Sequence, residues 1–232
     1  AIGVDVMDTA LLFSGGKDSL ACLYINRHRW DSIFVVWLNT GAVDDATYEY
    51  MMKWKDRLPH FIELKSDQPA NIRDYGWPVD VLPVNNTILG KEITGEEGPK
   101  MQPYLNCCAS NIWFPLHFGL KGLGVTTAIK GQRNDDGKKS TSRNGDTRDG
   151  ITFEMPIQDW TEADVYDYLK VVGAELAPGY IAGEKTGRDC WDCTAYLSDN
   201  KKRIMNLPEE KKQEVLRRLG IIKGAIDDQW RM

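Results

Sequence analysis

A doubly wound, mostly parallel α/β sheet is the fold class that this sequence predicts, and three features carry the prediction. Short apolar runs end at glycine-containing or polar turns; segments of helical spacing follow those turns; and the two patterns alternate along the chain instead of segregating. With 232 residues and 42% hydrophobic composition, the chain can fill one substantial core, or one core with a small appendage.

Residues 10–13 are an apolar run ending at Ser14, Gly15 and Gly16, and residues 19–25 then place apolar side chains on one helix face. Residues 33–38 are a second apolar run, broken at Asn39, Thr40 and Gly41, and residues 45–58 mix aromatic and charged side chains at helical spacing. Residues 61–64 and 125–130 are expected as third and fourth strands because they are short and rich in β-branched or apolar residues. Right-handed crossovers gather the loops after parallel strands at one carboxyl edge, so residues 14–19, 39–45 and 131–136 are expected to meet there.

Prolines at 69, 78, 83, 99 and 103 predict a loop-rich excursion over residues 66–106. Residues 133–150 set Arg133, Lys138, Lys139, Arg143 and Arg148 among small polar residues, the composition of a mobile cationic loop. Thr161, with Asp164 three residues later, predicts an N-capped helix over 161–169, and residues 208–219 a charged amphipathic one. The expected division is a nucleotide-binding domain over residues 1–196, including the paired cysteines, and a helical tail over 197–232.

A net charge of -5 gives no global cationic field, so composition does not support nonspecific polynucleotide binding. No run of about twenty apolar residues occurs, and Asp5 and Asp8 stand where a secretory signal would carry lysine or arginine. A cytoplasmic protein without a membrane partner is the expectation. Of the five cysteines, Cys107 and Cys108 are adjacent and Cys190 and Cys193 form a C-x-x-C pair, spacing that suits metal ligands better than a secreted disulfide framework. The fifth, Cys22, lies among apolar residues of the first helix and reads as a core residue.

Ser14, Gly15, Gly16, Lys17, Asp18 and Ser19 follow a predicted strand and open a predicted helix. Small residues let the backbone turn tightly and aim N–H groups at an anion on the positive helix end, while Lys17 adds a charge. The spacing is not that of the common G-x-x-x-x-G-K-[ST] nucleotide loop, and an ordinary Gly-Gly turn is the plain alternative. The S-G-G-K-D-S run resembles the PP-motif of ATP pyrophosphatases and of the related phosphoadenylyl-sulfate (PAPS) reductase family, whose fold is adenine nucleotide alpha hydrolase-like. Asn39, Thr40 and Gly41, with Ala46, Thr47 and Tyr48, resemble the reductase branch's D-T-G and E-T-Y signatures. Gly131, Gln132 and Arg133 resemble its G-x-R turn, and the segment from Pro156 to Trp160, with Val165 and Tyr168, its P-L-x-x-W segment.

The resemblance covers residues 10–196. It implies phosphate binding by residues 14–19, a nucleotide pocket at Asn39, Thr40 and Gly41, and an anionic oxygen at Gly131 and Arg133, with Lys17, Asp18 and Arg133 as the catalytic set. Arginine suits that last role because its planar fork pairs with oxyanions through two bonds; a surface arginine in a solvated loop is the alternative. Asn39 replaces the family's aspartate, which removes an acidic role at that position. Cys107, Cys108, Cys190 and Cys193 resemble the pairs that ligate a 4Fe-4S cluster in adenylyl-sulfate reductases; an all-cysteine zinc site would use the same ligands.

The chain as given has no cysteine after Cys193, whereas reductases of this family attack sulfur with a cysteine in an E-C-G-[LI]-H type tail. With the intact loop, this favours an enzyme that takes ATP with magnesium, over a sulfonucleotide reductase or a nucleotide-binding accessory subunit. DNA phosphorothioation proteins resemble the chain in pairing such a loop with four cysteines, a resemblance that implies sulfur transfer, with a nucleic-acid acceptor or a protein partner.

Overall fold

The computed structural model describes residues 7–137 and 141–230. Asp5, Lys138, Lys139 and the last two residues, each part of a sequence reading above, lie outside the described residues. In chain order the elements are β1 (Thr9–Leu12), α1 (Lys17–Ile25), β2 (Phe34–Asn39), α2 (Asp45–Arg57), β3 (Phe61–Lys65), α3 (Gln68–Tyr75) and β4 (Trp77–Val79). Next come α4 (Ile88–Thr94), β5 (Met101–Pro103), α5 (Tyr104–Cys108), a π-helical turn (Ala109–Trp113) and α6 (Phe114–Gly122). The remainder is β6 (Thr127–Ile129), β7 (Thr147–Arg148), β8 (Ile151–Glu154), α7 (Glu162–Val171), α8 (Pro178–Ile181), α9 (Leu197–Asn206) and α10 (Glu209–Trp230).

Two compact units share the chain. Ala1–Leu38, Asp45–Leu64 and Leu116–Ile181 form the first; Asn39–Asp44, Lys65–Pro115 and Ala182–Met232 form the second. The first is built on a six-stranded sheet of order β3-β2-β1-β6-β8-β7. Pairing is parallel between β1 and β2 (Ala10 opposite Phe34), β1 and β6 (Thr9 opposite Thr127), and β6 and β8 (Thr127 opposite Thr152). Only β7 is recorded as antiparallel to its neighbour, β8. Strand order reverses at β1, which has β2 on one side and β6 on the other, and in such sheets ligands bind where the order reverses, outside the carboxyl ends of the strands. The predicted α/β class is therefore the observed one.

Ala10, Val36, Leu120, Val125, Ala128 and Ile151 make the core of this unit, and Leu20, Cys22 and Leu23 of α1 are fully buried. Sequence reading missed β8, because Ile151, Thr152, Phe153 and Glu154 sit at the end of a loop-like stretch and become a strand only through pairing with β6. Helix α7 begins as expected: Thr161 Oγ1 accepts from the Asp164 N–H at 3.2 Å, and Asp164 Oδ2 accepts from the Thr161 N–H at 2.8 Å, a reciprocal capping box.

In the second unit, β4 and β5 pair in parallel, and α10 lays Ile222, Leu219 and Ile226 against Val79 and Met101. The region expected to be a loop-rich excursion thus holds α3, α4, α5 and two strands. Its prolines do not interrupt these elements: Pro69 lies in the first turn of α3, which Asp67 caps by accepting from the Ala70 N–H at 2.9 Å, and Pro103 precedes α5. The amphipathic helix expected over 208–219 runs on to Trp230. Among the described residues, no helix is long and apolar enough to cross a membrane.

Candidate functional site

The phosphate-type loop belongs to the first unit. After β1 the chain turns through Gly15 at φ +75°, a conformation that favours glycine, and Gly16 then enters α1 in extended geometry without any side-chain cap. A helix leaves the N–H groups of its first turn without intrahelical partners, so an uncapped start presents donors and the positive end of its dipole. The two serines brace the turn: Ser19 Oγ donates to the Gly16 carbonyl at 2.9 Å and lies 3.3 Å from Ser14 Oγ, which accepts from the Gly16 N–H at 3.4 Å. A Cβ at Gly16 would first meet the Tyr180 hydroxyl at 2.9 Å, so a larger residue there would have to displace the end of that side chain.

Lys17 is 5% exposed, with Nζ 2.8 Å from Asp18 Oδ2, 3.5 Å from Glu162 Oε1 and 6.0 Å from the ring centres of Tyr166 and Tyr180. The loop after β6 crosses directly over the first turn of α1. A Cβ at Gly131 would stand 2.6 Å from the Asp18 carbonyl carbon and 2.7 Å from the Ser19 nitrogen, so only glycine fits this backbone approach.

Two residues on, Arg133 is 4% exposed and faces three carboxylates: Asp18 Oδ1 at 2.7 Å from Nε, Asp135 at 3.3 Å and Asp136 at 2.8 Å. Burial works against its charge, and Asp18, Asp136 and Asp135 outweigh burial, so its pKa is raised. The 2.7 Å contact between Nε and Asp18 Oδ1 is an ion pair without hydrogen-bond alignment, which leaves both atoms buried and without a hydrogen bond. Arg133 is thus engaged by the carboxylates of Asp18, Asp135 and Asp136. Cys22 is fully buried and its thiol is pushed up to about 12, first by burial and then by Asp18, in keeping with a core role.

Asn39, Thr40 and Gly41 belong to the second unit. Asn39 Oδ1 accepts from the Gly41 N–H at 2.9 Å, Gly41 has φ +79°, and the buried Thr40 hydroxyl donates to the Asp189 carbonyl. Thr40 Oγ1 also accepts from Cys190 Sγ at 3.5 Å, which ties the turn to the cysteine region.

The paired cysteines come from α5 and from the loop before α9. Cys107 is pushed up to about 12, by burial first and then by the charges of Cys108 and Cys193. Cys193 rises to about 11, with burial the leading cause and Cys108 among the others, and Cys190 is raised by burial and by Cys193. Cys193 therefore lies within electrostatic reach of Cys107 and Cys108 as well as of Cys190, a proximity between segments that no local sequence could produce. Among the described residues, however, no group of three or more His, Cys, Asp or Glu side chains is arranged to hold a metal ion. The donor chemistry still fits a thiolate-ligated metal, because Cys107, Cys190 and Cys193, which resist ionisation when alone, would be stabilised as thiolates by a cation among them.

Side chains distant in sequence build this region, and sequence reading missed most of them. The buried Asp192, inside the C-x-x-C pair, accepts from Gln68 Nε2 at 3.1 Å and pairs with Arg218 at 2.9 Å. Arg203, 1% exposed, donates to the carbonyls of Cys190, Trp191 and Cys193. Arg188, which the sequence did suggest as a neighbour of the cysteines, is also buried and joins Glu184 and Asp44. None of the others carries a local signal, since each is polar on a segment whose apolar pattern is ordinary. Glu162, Tyr166 and Tyr180 around Lys17 were missed for the same reason.

Residues 8–196 match the family model described as phosphoadenosine phosphosulfate reductase domain. Comparison with curated proteins gives no match. Among solved structures, the chain is similar to a phosphoadenylyl-sulfate (PAPS) reductase from Candida auris in complex with phosphate, at 16% identity and TM-score 0.52, over 77% of this chain and 79% of that one. An NH3-dependent NAD synthetase from Campylobacter jejuni aligns at 15% identity and TM-score 0.48, over 93% and 84% of the two chains. The FMN adenylyltransferase of Candida glabrata, solved with FAD and inorganic pyrophosphate, aligns at 11% identity and TM-score 0.47, over 77% of this chain and 52% of that one.

Proposed function

Because the chain belongs to the phosphoadenosine phosphosulfate reductase domain family, we propose that it binds an adenine nucleotide through residues 14–19 and cleaves ATP, with magnesium, to AMP and pyrophosphate to activate an acceptor in sulfur metabolism. The observation that carries this reading is the uncapped start of α1, braced by two serines and set where the strand order reverses. An acceptor oxygen attacks the α-phosphorus. Its new bond forms as the bond to the bridging oxygen breaks, pyrophosphate leaves with the electron pair into the loop, and AMP, now carried on the acceptor, leaves when a second nucleophile displaces it. The N–H groups of the first turn and the Lys17 ammonium meet the charge that develops there, so catalysis is positioning and neutralisation. Asp18, which pairs with Arg133 and Lys17, would be the loop carboxylate available to the magnesium that accompanies the nucleotide, and the ion would neutralise phosphate charge.

Cys107, Cys108, Cys190 and Cys193 are assigned to a 4Fe-4S cluster, which would supply polarizable sulfur and redox capacity; zinc is the competing occupant. The second reading is reduction of adenylyl sulfate or PAPS, which the family match favours. Cys22 is a poor nucleophile for it, since burial holds the thiol near 12.

The deciding experiment gives anaerobically purified protein α-labelled ATP with magnesium and, separately, adenylyl sulfate or PAPS with reduced thioredoxin. ATP is expected to bind at least about tenfold more tightly, and iron with acid-labile sulfide to accompany the chain. Sulfite released at an enzyme-like rate would replace this reading with the reductase, and zinc without sulfide would replace the cluster.

A further inference from the structure

Resting on the assignment of the four cysteines as a metal-holding set, we infer that Arg203 is the positioning residue of that site. It fixes the turn of residues 190–193 by its carbonyls and provides the buried positive charge that a set of thiolates requires. Its Nη1 donates to the Cys190 carbonyl at 3.2 Å and the Trp191 carbonyl at 2.6 Å, and Nη2 to the Cys193 carbonyl at 3.0 Å. Nε donates to Asn200 Oδ1 at 3.2 Å, and Asn200 in turn donates to the Ala195 carbonyl at 2.6 Å and accepts from Thr186 at 2.9 Å. One planar fork thus meets three carbonyls of a turn that neither helix nor sheet satisfies, a task that the point charge of lysine performs less well.

The charge is the second half of the argument. Two of the neighbouring carboxylates are paired with other arginines, Asp192 with Arg218 at 2.9 Å and Glu184 with Arg188 at 2.5 Å, while Asp189 lies within electrostatic reach of Arg203. Among the described residues, Arg203 has no carboxylate ion pair, and all its hydrogen bonds run to neutral carbonyl and amide oxygens. A guanidinium 1% exposed and without an ion pair is costly: burial lowers its pKa, and the charges of Cys193 and Cys190, then of Glu184 and Asp192, oppose that. Metal-bound thiolates carry that negative charge; free thiols do not. Positive charge beside an iron-sulfur cluster also favours its more negative, reduced state.

The test uses Arg203→Gln, which removes charge and fork; Arg203→Lys, which keeps the charge alone; and Asn200→Ala, which removes only the Nε partner. Metal-free protein is alkylated with iodoacetamide and mapped at each cysteine, and anaerobically loaded protein is assayed for iron, sulfide and midpoint potential. In Arg203→Gln, Cys190 and Cys193 are expected to react about tenfold faster, iron per chain to fall severalfold and any residual cluster to reduce at lower potential. Arg203→Lys should restore the potential while leaving alkylation fast, and Cys22 should stay unreactive in every variant. Wild-type alkylation rates and iron content in Arg203→Gln would overturn the inference. If that variant does not fold, Asn200→Ala decides: a smaller change in the same direction supports the inference, and none overturns it. Wild-type protein lacking iron, sulfide and zinc is the separate result that overturns the cysteine assignment, and the charge role with it.

Discussion

The phosphate-type loop and the cysteine turn are both tight turns next to a helix, yet they are stabilised in opposite ways. Residues 14–19 are one contiguous run whose turn hydrogen bonds are local, Ser19 and Ser14 both bonding Gly16, while Arg133 and Glu162 reach the side chains of Asp18 and Lys17 from farther along the chain. Residues 190–193 contribute little bracing of their own. Arg203 on α9, Arg218 on α10, Gln68 on α3 and Thr40 after β2 hold them from four places in the chain. The first turn can be shaped by backbone preference, whereas the second exists only once the helices of its unit have packed. Anion binding at a helix start needs backbone donors alone, but a set of thiols converging on one ion needs several segments at once.

That contrast is open to attack in order of expected effect. Gly131→Val tests whether the phosphate-type loop is as local as its hydrogen bonds suggest, because the new side chain would strike the backbone of Asp18 and Ser19. The expected result is about 2–4 kcal/mol of lost stability and a fall of about a hundredfold or more in ATP affinity, read by thermal melting and calorimetry. Wild-type affinity would show that the crossing is not needed.

On the cysteine side, Asp192→Ala leaves Arg218 and Gln68 without their shared partner. It is expected to cost about 2–3 kcal/mol in denaturant unfolding and to lower metal content. A cost within experimental error would mean that the turn is held by its carbonyls alone.

Lys17→Gln addresses binding more than folding. ATP affinity should drop about ten- to a hundredfold in calorimetric titration while iron and sulfide stay at the wild-type level. A parallel loss of iron would break the separation between the two regions.

The smallest effect concerns Glu214 on α10. Hydrogen bonds from Arg217, opposed by burial and aided by Arg218, hold its carboxyl at about 2, below its ordinary 4.5. The unfolded chain binds this proton more tightly, so the stabilisation is present above pH 4.5 and is lost as pH falls toward 2. Glu214→Gln should flatten that acid limb by less than about 1 kcal/mol in urea melts taken between those pH values. An unchanged limb would assign the acid sensitivity to other carboxylates.

What the sequence determined by itself was whatever depends on short-range rules. The alternation of apolar runs and helical segments announced the parallel sheet, the S-G-G-K-D-S run marked the strand-to-helix turn, and Thr161 with Asp164 started α7 where it starts. Tertiary structure alone decided the rest. Residues 151–154 become β8 only because β6 offers a partner, and prolines that argued for loops sit in the first turn of α3 and just before α5. Arg133 stood out in the sequence as a loop arginine two residues after a glycine, but its partners Asp18, Asp135 and Asp136 follow from the loop crossing at Gly131. Arg203 was not legible at all. Local sequence encodes backbone preference and one-dimensional burial pattern, whereas the partner of a buried polar group is fixed by which segments the fold brings within hydrogen-bond distance, and that is a property of the packed chain.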